Sequence, residues 1–118
     1  MKIIHIQGYW NNDVMYQEQY LTKGHQALGH DVIVLTGRYE FSMAYNYEKR
    51  KKRIGGYKYN NILIHRLFSI EIQKNALQLT FGNFKQFLKY KPNVIFFHDI
   101  TPTLIFGVLY KLISPKTI

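Results

Sequence analysis

The chain has 118 residues, of which 47% are hydrophobic, and this is enough for one globular domain with a core of its own. Cysteine is absent, which excludes disulfides, thiolate zinc sites and cysteine nucleophiles. Lys and Arg number 16 against 7 Asp and Glu, and the resulting net charge of +9 is typical of proteins that meet nucleic acid, an anionic membrane surface or a phosphorylated substrate.

Residues 1–36 predict a strand, a helix and a second strand, which together make a βαβ unit with a parallel sheet. Residues 2–6 are a short apolar run, typical of a strand buried on both faces, and Gly8 permits the sharp turn that follows. Residues 32–35 are a second run of the same kind. Between them, three apolar residues at a spacing of seven predict a helix with an apolar stripe: Val14, Leu21 and Leu28.

Ligands of such units bind beyond the carboxyl ends of the strands. Here that edge carries residues 8–13 and the first turn of the helix. Two polar residues, Gln17 and Glu18, interrupt the predicted stripe. A carboxylate at Glu18 either complements the positive end of the helix dipole or contacts a ligand, and the sequence supports both interpretations equally.

Residues 37–61 are too long for an ordinary connection, which predicts a functional loop or a mobile segment. This loop contains the densest charge of the chain, a run formed by Lys49, Arg50, Lys51, Lys52 and Arg53. Such a run is usually a solvated loop, and the alternative is contact with an anionic membrane or a phosphorylated acceptor. Residues 57–59 and 62–66 predict a hairpin with Asn60 and Asn61 in its tight turn.

The second half predicts two helices on either side of a strand. The first helix covers residues 75–90, with apolar residues at helical spacing: Leu77, Phe81, Phe84 and Leu88. Residues 94–97 predict a strand buried on both faces. The last helix follows Pro102 and stops at Ser114, and its predicted buried residues are Ile105, Val108, Leu109 and Leu112. Residues 116–118 look like the first residues of another strand.

His98 and Asp99 directly follow the predicted strand 94–97, at the edge of the sheet where ligands bind. Histidine can donate, accept or shuttle a proton near neutral pH, and the alternative is a histidine that only bonds the loop backbone. The other histidines lack metal-ligand spacing, so no metal site is predicted. G-x-G-x-x-G, G-x-S-x-G and RNA-binding motifs are absent, which disfavours a dehydrogenase, a serine hydrolase and a nucleic-acid partner.

No apolar run approaches the roughly 20 residues of a membrane span, and residues 1–7 lack the apolar region of a secretory signal. We therefore expect a cytoplasmic protein. The basic run adds the expectation of a peripheral position on the inner face of a membrane.

Several segments in combination resemble glycosyltransferase family 4, which has the GT-B fold. They are the start M-K-I-I-H-I, the helix start Y-Q-E at 16–18, L-G-H-D-V-I-V-L-T at 28–36, R-I-G-G at 53–56 with the strand 62–67, and K-P-N-V-I-F-F-H-D at 91–99. The last is similar to the family's fourth strand, K-P-D-V-I-H-x-H. The resemblance covers nearly the whole chain. It implies that residues 1–118 form a single three-layer α/β domain that is Rossmann-like. The sheet would be mainly parallel, with its strands in the order third, second, first, fourth. Such a domain is a truncated GT-B amino-terminal half.

The resemblance implies the acceptor-side half of a retaining enzyme. Such enzymes move a sugar from a nucleotide-sugar donor to an acceptor hydroxyl, here in cell-surface polysaccharide or glycolipid synthesis and without a cofactor or metal. His98 would line the transfer site. The residues expected to contact the acceptor, a glycan or lipid-linked sugar, are Gly8, Tyr9, Asp13, Tyr16, Gln17, Glu18 and Asp99. Phe96 stands where the family usually has the first histidine of a pair.

In this family the donor nucleotide is held mainly by a second domain, through two glutamates spaced E-x7-E. The chain ends before that domain, and Glu40 and Glu48, which have the spacing, lie in the long loop, so we attribute the match to chance. We expect the isolated chain to be inactive. We also expect the strand 94–97 to lack a neighbour on one side, which favours self-association or a partner chain. The alternative is a non-catalytic α/β binding or interaction domain derived from the same fold.

Overall fold

A computed structural model describes residues 1–12, 16–42 and 47–118. The elements in chain order are β1 (Lys2–Gln7), α1 (Gln17–Ala27), β2 (Asp31–Gly37), α2 (Tyr47–Arg50), β3 (Gly55–Tyr59), β4 (Ile62–Leu67), β5 (Ser69–Gln73), β6 (Leu77–Thr80), α3 (Asn83–Tyr90), β7 (Val94–Phe97) and α4 (Leu104–Ile113). Within these described ranges, none of the helices has the length and apolar character that crossing a membrane would need.

The main sheet has β1 at its centre. In the described part of the chain it contains five strands in the order β3-β4-β2-β1-β7. β1 runs parallel to β2, with Ile3 opposite Val32, and parallel to β7, with Ile3 opposite Val94. β4 is parallel to β2, and β3 is antiparallel at the edge. The protein is therefore α/β with a mainly parallel sheet, and its parallel strands have the expected order third, second, first, fourth.

The predicted hairpin is confirmed by β3 and β4, in which Tyr59 lies opposite Ile62. Asn60 and Asn61 join them with φ values of 49° and 63°. Two consecutive positive φ values are those of a type I′ turn, whose twist matches the strands on either side. Asparagine tolerates this conformation better than most residues do, which explains the Asn-Asn pair.

Hydrophobic clusters cover both faces of the sheet. Strand residues alternate between faces, and one cluster accordingly contains Ile4, Ile6, Ile33, Leu35, Leu67, Phe87 and Tyr110. Phe87 comes from α3 and Tyr110 from α4, so these helices cover that face. The other cluster contains Trp10, Val32, Val34, Ile62 and Ile64. Trp10, from the turn after β1, is 1% exposed and fixes the start of that turn against the sheet.

The apolar stripe predicted for α1 is wrong. Leu21 and Leu28 are 42% and 74% exposed, and Val14 lies outside the described residues. The helix buries Gln19 and Thr22 instead. α1 therefore turns a polar face toward the sheet.

The predicted helix over residues 75–90 is wrong in its first half, where β5 and β6 form an antiparallel hairpin. Along β6 burial alternates, with Gln78 and Thr80 buried and their neighbours half-buried. That period of two belongs to a strand, and the helical spacing from Leu77 onward is a coincidence. The helix α3 begins only after Gly82, whose φ of 96° is open to glycine and strained for other residues.

The burial predicted for α4 is also wrong. All four of its predicted core residues are exposed: Ile105, Val108, Leu109 and Leu112. The side chain that α4 places in the core is Tyr110, which is 4% exposed. Between α4 and β7 lies an apolar groove of about 310 Å³, lined by residues that include Ile95, Phe97, Val108 and Leu112.

The strand β7 is half-buried along its length and not buried on both faces as predicted. On its outer edge, the N–H of Ile95 donates to the carbonyl of Ile118 at 2.8 Å, and the N–H of Ile118 donates to the carbonyl of Asn93 at 2.9 Å. Bonds from one residue to both neighbours of Val94 form a parallel bridge. Ile118 is thus paired with the outer edge of β7, although residues 116–118, predicted as the first residues of another strand, are not assigned to a strand.

A buried ion pair joins the β5–β6 hairpin to the loop after β2. Arg50 Nη1 and Nη2 donate to Glu71 Oε2 and Oε1 at 3.0 and 2.5 Å, and both side chains are 2% exposed. Burial by itself raises the pKa of Glu71, but the hydrogen bonds from Arg50, the Asn75 N–H and the Tyr9 hydroxyl outweigh it and hold the pKa below its ordinary value. Arg50 is therefore not part of a basic surface, and its predicted contact with membrane or phosphate is wrong.

Replacing Glu71 by glutamine should lower the free energy of unfolding by about 3–5 kcal/mol, because Arg50 then stays buried without its carboxylate. Urea denaturation at neutral pH measures the loss. A suitable control is Asp31→Asn. The carboxylate that it removes lies 3.9 Å from the Lys2 ammonium, and the side chain of Asp31 is 66% exposed. That change should cost less than about 1 kcal/mol. Equal, small losses in the two variants would contradict a stabilising role for the buried pair.

Candidate functional site

The carboxyl ends of β1 and β7 lie side by side at the switch point of the sheet. From β1 the chain goes on to β2 and β4 on one side, whereas β7 is added on the other. In open parallel sheets, ligands bind in the crevice at this point, beyond the strand ends. Gly8 follows β1, and His98 and Asp99 follow β7, so the structure places these three predicted site residues at the crevice.

One hydrogen bond ties the two strand ends together. The N–H of Gly8 donates to Asp99 Oδ2 at 3.0 Å. A Cβ atom at position 8 would lie 3.1 Å from the same oxygen, so a larger residue there would have to displace the Asp99 carboxylate slightly. Asp99 is therefore a residue that positions the turn after β1, while its side chain also lines the adjoining cleft.

Two clefts adjoin at this edge, and Glu18 lines both. The smaller has a volume of about 150 Å³ and is lined by Gln7, Tyr9, Tyr16, Glu18, Phe41 and Asp99. The larger has a volume of about 560 Å³ and is lined by Gln17, Glu18, Tyr20, Leu21, Phe96, Phe97 and His98. The predicted cleft residues are thus brought together around Glu18. Asp13, also predicted for this cleft, lies outside the described residues.

Three aromatic rings form one wall of the smaller cleft. Phe41 lies edge-on to Tyr9 and to Tyr16, with ring centroids 6.3 and 6.0 Å apart. The hydroxyl of Tyr9 donates to Glu71 Oε1 at 2.9 Å. Burial and this bond raise the pKa of Tyr9, so the hydroxyl stays protonated and only the ring of Tyr9 serves the cleft. Phe41 was not predicted, because nothing in its sequence context marks it.

The floor of the site is polar, because β1 points His5 and Gln7 toward α1. Gln7 is 4% exposed, and its Nε2 donates to Thr22 Oγ1 at 3.4 Å. His5 is fully buried, and its Nε2 lies 3.0 Å from Nδ1 of His25. These contacts explain why α1 buries polar residues. Sequence reasoning missed His5 and His25, although a histidine inside an apolar strand is itself an indication of a buried polar contact.

His98 meets this floor from the end of β7. Its Nε2 lies 2.8 Å from Nδ1 of His5, and its backbone N–H donates to the carbonyl of Ile6 at 3.1 Å. Burial lowers the pKa of His98, although the charges of Glu18 and Asp99 oppose that change. Burial, followed by the charges of His98 and His25, lowers the pKa of His5 to about 3. His5 is therefore neutral at physiological pH.

Gln78 of β6 joins the turn after β1 to the loop after β2. Its side chain donates to the carbonyl oxygens of Gly8 and of Tyr39, the latter at 3.0 Å, and accepts from Ser69 Oγ at 2.8 Å. A Cβ atom at Gly37 would overlap the Gln78 amide, so glycine is required there. Because the sequence predicted a helix over this segment, it did not reveal this contact.

The charged residues of the long loop are engaged in the fold in part. Glu40 accepts from Arg66 Nη2 at 2.9 Å and lies 3.3 Å from the Lys52 ammonium, so it is a structural residue and not half of a nucleotide site. Lys51 and Arg53 are exposed, as is Lys49. In the described part of the chain, no group of three or more His, Asp or Glu side chains is arranged to hold a metal ion.

Comparison of the chain with protein-family models, with curated proteins and with solved structures finds no match. Function therefore has to be inferred from the chemistry of the site. Carboxylates accept hydrogen bonds from hydroxyl groups, histidine can donate or accept, and aromatic rings pack against apolar ligand surfaces. This set of groups suits a ligand with many hydroxyls.

The free energy of unfolding should decrease as the pH falls below about 6.5. In the unfolded chain His5 takes up a proton at its ordinary pKa, whereas the folded protein keeps it neutral, so acid favours unfolding by up to about 1.4 kcal/mol per pH unit. Urea denaturation between about pH 7.5 and 5.5, above the range in which carboxylates titrate, measures the slope. His5→Asn should reduce the slope. Equal slopes in the His5 variant and the unchanged protein would contradict the assignment.

Proposed function

We propose that this chain is the acceptor-binding, amino-terminal half of a retaining glycosyltransferase of the GT-B fold. The domain would be a three-layer, Rossmann-like unit that holds the acceptor, while the nucleotide-sugar donor is bound mainly by a second domain. The observation that supports the proposal is the position of Glu18, His98 and Asp99 at the switch point between β1 and β7. That is the place where an open parallel sheet binds its ligand.

The smaller cleft has the chemistry of a sugar site. The aromatic wall can pack against the apolar face of a sugar ring, and Glu18 and Asp99 can accept hydrogen bonds from its hydroxyls. The larger cleft, with His98 and Glu18, offers room for a second sugar or for the group being transferred. Glu18, which lines both clefts, would bridge the acceptor and the transfer position.

In this proposal the chain orients the acceptor, and His98 contacts the reacting hydroxyl or the transferred sugar. Positioning a hydroxyl against the donor carbon removes the entropy cost of bringing the two together. Stabilisation of the departing diphosphate would come from the donor-binding domain.

One observation favours the alternative, a binding domain without catalysis. Nε2 of His98 is occupied by His5, and Phe96 stands at the position where the resemblance leads one to expect another histidine. With one ring nitrogen of His98 committed, only Nδ1 is left for a ligand. A domain of this kind would still bind a hydroxylated ligand in the same cleft.

The exposed cations suggest a setting for the proposed enzyme. Lys51 and Arg53 lie next to β3, beside the exposed Ile54. Contact of this segment with an anionic membrane or a phosphorylated acceptor, on the cytoplasmic face, remains a prediction. Lys52 adds less to the positive charge of this segment than the sequence suggests, because it is paired with Glu40.

The proposal predicts that neutral disaccharides bind the 118-residue chain at the smaller cleft. In NMR titrations with a panel of disaccharides, the signals of Tyr9, Tyr16 and Glu18 should shift, and UDP-glucose at micromolar concentration should shift none. Glu18→Gln should weaken binding about tenfold, because one hydrogen bond to a charged group is lost. Asp31→Asn, the same chemical change at the opposite edge of the sheet, should not. Tight binding of UDP-glucose, or disaccharide shifts confined to other surfaces, would contradict the proposal.

We also propose that the face formed by α4 and β7 is an interface between two copies of the chain. Five apolar side chains of α4 are between 44% and 72% exposed: Ile105, Val108, Leu109, Leu112 and Ile113. They adjoin the apolar groove beside β7. A continuous apolar patch of this kind is uncommon on the surface of a monomer and typical of an interaction site.

Light scattering should therefore show the unchanged chain as a dimer or larger species at high concentration. Introducing two charges, Val108→Lys with Leu112→Lys, should produce a monomer. As the matched control, Tyr20→Lys with Leu28→Lys changes one residue of α1 and the residue that follows its end, which are 64% and 74% exposed, and it should leave association unchanged. A monomer in the unchanged chain at high concentration would contradict the proposal.

A further inference from the structure

Three histidines from three different elements form a continuous hydrogen-bonded chain. His98 follows β7, His5 lies in β1 and His25 lies in α1. His98 Nε2 is 2.8 Å from His5 Nδ1, and His5 Nε2 is 3.0 Å from His25 Nδ1. The chain leads from the larger cleft, through the fully buried ring of His5, to the last turn of the helix α1 on the other side.

The central ring dictates the direction of the whole chain. A neutral imidazole carries one N–H and one lone pair, so it donates from one nitrogen and accepts at the other. Both nitrogens of His5 bond to other histidines, and His5 is buried where a charge would be costly. Only two arrangements satisfy both bonds. Either His98 donates to His5 and His5 donates to His25, or every bond runs the other way.

In the first arrangement all three rings carry their proton on Nε2, and Nδ1 of His98 is left as an acceptor. In the reverse arrangement all three carry it on Nδ1, and Nδ1 of His98 is a donor. The group that His98 offers at the cleft edge is therefore set by the tautomer of His25, although the two rings share no hydrogen bond.

We propose that His5 and His25 are positioning residues that fix the tautomer of His98, and that they relay a proton between His98 and His25. This inference goes beyond the proposed function and does not depend on sugar transfer, because it concerns the chain's own protons.

Every proton and the positive charge are accounted for in this relay without another reactant. Starting from the first arrangement, Nδ1 of His98 takes up a proton and the ring becomes a cation. Its Nε2 proton then passes to Nδ1 of His5, while the Nε2 proton of His5 passes to Nδ1 of His25. His98 and His5 end neutral with their protons on Nδ1, and the positive charge ends on His25.

Burial and the other two histidines disfavour a charge on the central ring, whereas at His98 the charges of two carboxylates partly offset the effect of burial. Glu18 of α1 and Asp99 beside β7 both act on His98 and favour its charged form. The central ring of His5 stacks on Phe96 with centroids 5.3 Å apart, and the other two histidines disfavour its charged form. At the far end, His25 adjoins His30, at 6.2 Å between ring centroids, and Nδ1 of His30 lies 3.4 Å from the amino terminus.

The test is the tautomeric state of each ring, read from imidazole ¹⁵N shifts in the ¹⁵N-histidine-labelled chain at about pH 8, where the rings are neutral. We expect His98, His5 and His25 to carry the proton on the same named nitrogen, and ¹⁵N–¹⁵N couplings across both hydrogen bonds. Different tautomers at His98 and His25, or independent mixtures, would overturn the proposal.

A variant tests the control of His98 by His25. His25→Phe removes the acceptor and donor at the end of the chain while keeping an aromatic ring beside Phe96, and it should shift His98 from one tautomer to a mixture. His30→Phe, the matched control next to His25 but outside the chain, should not. Because both variants are measured at a pH where the histidine rings are neutral, loss of a positive charge cannot cause the change in the tautomer of His98. An unchanged His98 tautomer in a folded His25→Phe protein would overturn the proposal, and the measurement on the unchanged chain stands if that variant does not fold.

The relay itself is tested by titration of the unchanged chain from about pH 8 to 5. If His98 and His25 share a proton, the shifts of both rings should respond to the same first protonation step. Two separate titration curves, each confined to one ring, would overturn the relay. None of these measurements uses a ligand, so a failure to bind disaccharides would leave them unaffected.

Discussion

The burial of two polar side chains in the central strand is the constraint on which the rest of the structure depends. β1 is bonded along both edges, and His5 and Gln7 are 0% and 4% exposed. Buried polar groups must be hydrogen-bonded, because an unpaired one costs several times what a paired one contributes. Their partners come from α1, through Thr22 and His25, and from His98 at the end of β7. This requirement decides which face α1 turns toward the sheet, and it holds His98 in place at the crevice.

A second set of buried polar contacts holds the loops that form the cleft. Gln78 bonds the carbonyl of Gly8, and Glu71 accepts from Arg50 and from the hydroxyl of Tyr9. Buried ion pairs add little net stability compared with apolar packing of the same volume. Their benefit here is geometric, because they fix the aromatic wall at the end of β1 with directional bonds. The β5–β6 hairpin, which lies outside the main sheet, therefore belongs to the site as its support.

The sequence was sufficient to predict elements whose signal is local. The strands β1, β2 and β7 are runs of apolar residues, and the Asn60–Asn61 turn requires positive φ values that few residues adopt. The errors arose where distant partners decide burial. Thr22 is buried because Gln7 of β1 offers it a polar partner, and Gln19 because it donates to the carbonyl of Asn11 in the turn after β1. No pattern within the helix could show this. Gln78 is buried in a strand because it covers Gly37, 41 positions earlier in the chain. The site residues after β1 and β7 were predictable from topology, whereas the histidine chain needed the register between strands.

Two departures from an apolar interior and a polar surface lie on opposite sides of the strand pair β1 and β7. At α1 the interior is polar, and at α4 the surface is apolar. Natural sequences follow the rules of folding at most positions and depart from them mainly where function requires it. The apolar face of α4 contacts the strand β7 whose carboxyl end carries His98, so a molecule docked on that face would lie one strand away from the crevice. Binding at the crevice and association at α4 would then both involve β7, and β7 is the element through which one could influence the other.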